Sequence, residues 1–134
     1  MDGGNADSRT AFIDDYAGDV VDLLDGLRIE DAVIGGLSMG GYVTFALLRR
    51  AKRYFRGMVL ADTRPQADPQ EAVDGRKRLL AVVHEKGASA IAAEMIPKLL
   101  SEDTRRDCPA VVDRVRDLIL ASSSEAIAGA IIAL

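Results

Sequence analysis

Ser38 lies in the run Gly36-Leu37-Ser38-Met39-Gly40, with Gly41 directly after it. A serine hydroxyl is a poor nucleophile unless a neighbouring base takes its proton, so the surroundings matter more than the residue itself. Glycines two positions away on either side let a strand and a helix approach through a turn too tight for side chains, and such a turn lifts the serine above the carboxyl end of the strand. The N–H of Met39, at the start of the following helix, is then placed to donate to an oxyanion. No lysine follows as in a P-loop, and the glycines do not fall in Gly-x-Gly-x-x-Gly register. The residues therefore read as a nucleophile, Ser38, one oxyanion donor, Met39, and the turn glycines Gly36 and Gly40, with Gly41 giving extra clearance.

Partners for Ser38 are harder to find. Asp62 ends a second strand-like run and His84 is the single histidine, so the order Ser38, Asp62, His84 is formally that of a hydrolase triad. His84, however, falls inside the helical pattern "RLLAVVHEKG" and suits an exposed helix position. Asp62 equally suits a strand-end acid that caps or pairs with Arg64. Cys108 is the only cysteine and has no Cys or His at ligand spacing, so neither a disulfide within the chain nor a metal site is expected, and no cofactor is implied.

The elements that must carry these residues follow from periodicity. Phe12, Tyr16, Val20, Leu23 and Leu24 recur mostly at spacings of three and four among aspartates, which predicts a helix ending near Gly26. "DAVIGGL" predicts a buried strand, Met39 to Arg53 a helix, and "GMVLAD", Gly57 to Asp62, a second strand. That order implies a parallel βαβ unit with a right-handed crossover. Asp68-Pro69-Gln70-Glu71 combines an N-cap acid, proline at the first helical position and glutamate at the third. From there on the patterns are all helical: Ala72 to Lys86, Ser89 to Leu100 interrupted by Pro97, Pro109 to Ala121, and a last helix opened by Ser122 and Glu125 at capping-box spacing. The expected division is an α/β part over residues 1–67 and a helical part over residues 68–134.

The chain has 134 residues, 49% hydrophobic and 28% charged, with no Trp, which fits a single globular domain with an aliphatic core. A net charge of −4 offers no footprint for nucleic acid, and the basic run "RRAKRYFR" suits a solvated helix terminus. The polar opening "MDGGNADSRT" lacks an apolar signal region, and the closing "AIAGAIIAL" is too short to span a bilayer, so neither export nor a membrane role is expected and the cytoplasm is the default address.

These residues resemble the α/β-hydrolase superfamily, and within it the cap-bearing branch that includes 3-oxoadipate enol-lactonase and similar esterases. "DDYAGDVVDLLDGLRIEDAVIGGLSMGGYVTFALLRR" is similar to the helix, strand, elbow and helix of that branch, "GMVLADTRPQADPQEA" to its next strand and cap entry, and the remainder to a helical cap. The resemblance implies a partial α/β-hydrolase fold, with a serine hydrolase acting on a small ester or lactone through an acyl-enzyme on Ser38. In that family the acid follows a strand after the cap, the histidine follows the last strand, and a His-Gly oxyanion loop precedes the elbow. None of these has a counterpart in the 134 residues. The expectation is a fragment that is inactive alone and associates with itself or a complementing piece, since a two-strand parallel pair leaves edges and faces open. The alternative is a non-catalytic interaction module.

Overall fold

Ile13, Ala17, Val20, Val21 and Leu24 form the stripe by which helix α1 (Ile13–Gly26) joins the first core. Phe12 and Leu23, expected in that stripe, are instead 60% and 59% exposed. The structure, a computed structural model, describes residues 12–134, and the polar opening read for a signal segment lies outside them. The described chain divides into two compact units, one of the residues up to Ala67 together with Ala133–Leu134 and one covering Asp68–Ile132.

In the first unit, α1 leads to strand β1 (Ala32–Leu37), helix α2 (Met39–Arg50), a 3-10 turn (Lys52–Tyr54) and strand β2 (Phe55–Ala61). The strands pair in parallel, Val33 beside Gly57, Gly35 beside Val59 and Leu37 beside Ala61. Helix α2 stops three residues short of the expected end because Ala51 leaves helical geometry at φ −143°, ψ 49°. The turn that follows buries Tyr54, which shares the core with Ala17, Leu24, Ala46, Leu47 and Ala51.

The basic run is used locally. Arg49 pairs with Asp14 at 3.6 Å, and Arg50 donates to the Asp14 carbonyl at 2.7 Å. Arg53 lies over the Tyr54 ring and donates to its hydroxyl at 2.7 Å. The Tyr54 hydroxyl in turn donates to Asp25, whose carboxylate raises the phenol above its ordinary pKa. Cations at the end of α2 and in the 3-10 turn after it thus meet acids of α1, each exposed pair being worth about 1 kcal/mol or less.

The second unit is all helical: α3 (Gln70–Leu99), α4 (Glu102–Asp107), α5 (Pro109–Leu120) and α6 (Ser124–Ala133). α3 breaks at Gly87, where φ 73° and ψ −173° suit only a residue without a Cβ. Pro97 does not interrupt it, because the Leu100 N–H still reaches the Ile96 carbonyl at 3.0 Å. The expected cap is shifted: Pro69, not Asp68, is the N-cap of α3, and the Asp68 carboxylate instead meets Arg76 at 2.6 Å. α4 has no apolar periodicity to announce it; Ser101 caps it by accepting the Thr104 N–H at 3.2 Å. At α6 the capping oxygen belongs to Ser123 rather than Ser122, accepting from the Ala126 N–H at 3.1 Å. Val83, Ile91, Ala128 and Ile131 are buried together, with Leu79, Val82, Met95 and Ile127 packed around them. Among the described residues no helix is long and apolar enough to cross a membrane.

Candidate active site

β1 ends at Leu37 and α2 begins at Met39, so the whole strand-to-helix reversal falls on Ser38. Its backbone takes φ 52°, ψ −113°, a conformation that costs an L-residue about 1–3 kcal/mol and persists only where the surroundings impose it. Three hydrogen bonds impose it here. The Ser38 N–H donates to the Ala61 carbonyl at 2.9 Å, and the Ser38 carbonyl accepts from the Gly41 N–H and from the Thr63 hydroxyl, each at 2.9 Å.

Serine at an N-cap ordinarily turns its oxygen onto the first helical turn. Ser38 is the N-cap of α2 and makes no such bond, so its exposed hydroxyl is not committed to the helix. Met39 is the first residue of α2, where an N–H has no acceptor inside the helix. The turn therefore presents an uncommitted hydroxyl beside a helix-start N–H, an arrangement suited to attack on a carbonyl and to binding the charge that develops on its oxygen.

The glycines differ in what they do. A Cβ on Gly36 would collide with the backbone of Gly40 and Gly41, and a Cβ on Gly41 would overlap the Thr63 side chain. A Cβ on Gly40 would meet nothing within 4 Å. Gly40 borders an open cleft of about 400 Å³ lined also by Tyr16, Ile34, Val43 and Leu47. The tight contacts of the turn thus run from Gly36 to the Gly40 backbone and from Gly41 to Thr63.

Asp62 directly follows β2, is exposed and has φ 45°. Ser38, Met39, the three glycines and Asp62 all lie in the first unit. His84 lies on the second unit, exposed in the middle of α3. Among the described residues no group of three His, Cys, Asp or Glu gathers to hold a metal. Thr63 is the residue sequence reading did not assign: its bond to Ser38 spans 25 positions, beyond any local pattern, and its place just past a strand end is the one available hint.

No family profile matches the chain. A 3-oxoadipate enol-lactonase from Acinetobacter baylyi is 29% identical over 113 residues, which are 84% of this chain and 41% of that protein. Among solved structures, a thermophilic esterase from Thermogutta terrifontis is 38% identical with a TM-score of 0.84, matching 92% of this chain and 46% of that one. The enol-lactonase from Burkholderia xenovorans is 27% identical with a TM-score of 0.82 and the same coverage. The chain spans less than half the length of each of these relatives. With its parallel strand pair, its strand–serine–helix turn and its helical second unit, the chain has a partial α/β-hydrolase fold followed by a helical cap, similar to hydrolases of the esterase and enol-lactonase kind.

Proposed function

We propose that the chain carries the nucleophile and one oxyanion donor of a serine hydrolase acting on a small ester or lactone. Ser38 attacks the carbonyl carbon as a base takes its hydroxyl proton, the carbonyl oxygen takes up the charge against the Met39 N–H, and collapse expels the alkoxide, which receives that proton, to leave an acyl-enzyme that water then hydrolyses. The observation that carries this reading is the strained N-cap serine whose hydroxyl caps nothing. The names of the similar proteins, an esterase and two enol-lactonases, support the substrate class.

Asp62 and His84 are not the acid and base in this reading. Among the described residues, the exposed mid-helix histidine and the exposed acid lack the fixed hydrogen bonds of a triad. In this reading those groups are supplied from outside the 134 residues, and without a base to take its proton the hydroxyl is a poor nucleophile. Turnover by the isolated chain is accordingly feeble. A fluorophosphonate, a far more reactive electrophile, is expected to label Ser38 slowly and stoichiometrically. Labelling should vanish in Ser38→Ala, and a wild-type chain that takes up no probe at Ser38 would overturn the assignment.

A second reading, a non-catalytic interaction module, is favoured by one observation. Val33, Leu37 and Val59, on one face of the strand pair, are 60%, 67% and 58% exposed. Absence of labelling together with stable association of the chain would support it.

A further inference from the structure

The Thr63 hydroxyl is bonded neither to a side chain nor to its own loop but to the carbonyl of Ser38, at 2.9 Å. That carbonyl and the Met39 N–H belong to one peptide group. The group is planar and trans, so its C=O and N–H point in opposite directions, and whatever fixes the oxygen fixes the direction of the N–H. A carbonyl oxygen has two lone pairs, and here both are taken, one by Thr63 and one by the Gly41 N–H at 2.9 Å. A hydrogen bond accepted at the oxygen also polarises the amide, which strengthens its N–H as a donor.

A second, steric constraint acts at the same place. The Thr63 side chain fills the space where Gly41 would carry a Cβ, with its Oγ1, Cγ2 and Cβ all in the way of one. The loop after β2 is therefore seated directly on the first turn of α2. Since Ser38 holds a backbone conformation that its surroundings must impose, a residue that grips the carbonyl from one side and packs against the helix turn from the other is well placed to impose it.

We propose that Thr63 is a positioning residue for the oxyanion site: its hydroxyl locks the Ser38–Met39 peptide so that the Met39 N–H is aimed at the developing oxyanion. The oxyanion half of this rests on the function proposed above, whereas the grip on the peptide does not. Thr63→Val keeps the shape and removes the donor; Thr63→Ser keeps the donor and removes a methyl group. Two measurements are made on the full chain: native-state amide exchange at Gly41, whose N–H shares the carbonyl with Thr63, and the rate of fluorophosphonate labelling at Ser38.

Thr63→Val should speed exchange at Gly41 about tenfold or more beyond any change in global stability. It should also slow the maximal labelling rate about tenfold while leaving the probe concentration for half-maximal rate unchanged, because an ill-aimed donor weakens the transition state and not the encounter. Thr63→Ser should stay within about threefold of wild type in both. Thr63→Val matching wild type in exchange and labelling overturns the proposal, as does Thr63→Ser failing as badly as Thr63→Val. A wild-type chain that does not label overturns the function reading and the oxyanion role with it, while faster Gly41 exchange in Thr63→Val still supports the grip on the peptide.

Discussion

At Ser38 three hydrogen bonds and two close glycine contacts hold a single residue in a left-handed conformation. The glycines can be told apart by experiment. Gly36→Ala pushes a methyl group into the Gly40 backbone, which cannot retreat, and is expected to lower unfolding stability in urea by about 3 kcal/mol. Gly40→Ala meets open space inside α2 and is expected to raise it by about 0.5–1 kcal/mol. Ser38 and Gly36 are legible in the sequence because the tightness of the turn is local, set by residues two apart. Thr63 is not, because its hydrogen bond joins the ends of two strands that only their pairing brings together.

At the scale of elements, boundaries depend on side chains that periodicity does not weigh. Asp68 has the type of an N-cap, yet its carboxylate is engaged by the Arg76 guanidinium and the N-cap position falls to Pro69. Its pair with Arg76 is largely shielded, the side chains being 10% and 20% exposed, Asp68 the lower. Asp68→Ala should therefore cost the second unit about 3 kcal/mol in urea unfolding, since it strands Arg76. Asp74→Ala, whose partner Lys77 is 70% exposed, should cost about 0.5 kcal/mol or less. The helix–strand–helix–strand order was readable from alternating periods of 3.6 and 2. The break in α3 was readable as a gap between two helical patterns, because Gly87 alone there tolerates the required φ. α4 was not, because six residues carry too little apolar periodicity to register.

For the molecule as a whole, the strand pair meets the core of α1 and α2 only through Ile34 and Phe55, while Val33, Leu37 and Val59 on the face opposite Ile34 remain accessible. Parallel sheets normally bury both faces, and large apolar patches mark interaction surfaces. The chain is expected to associate at micromolar concentration, giving a mass by light scattering above 14.3 kDa, and the double variant Leu37→Lys/Val59→Lys should return it towards that value. A monodisperse wild-type monomer would count against association. That these strands exist was legible in the sequence; which of their faces lacks a cover was not, since "AVIGGL" is apolar on both. The left-handed φ of Ser38 reaches further, into how the sequence would drift. Glycine fits that backbone better than serine does. Under selection for robustness alone position 38 would decay to glycine, so keeping a hydroxyl there sets the durability of the molecule against its chemistry.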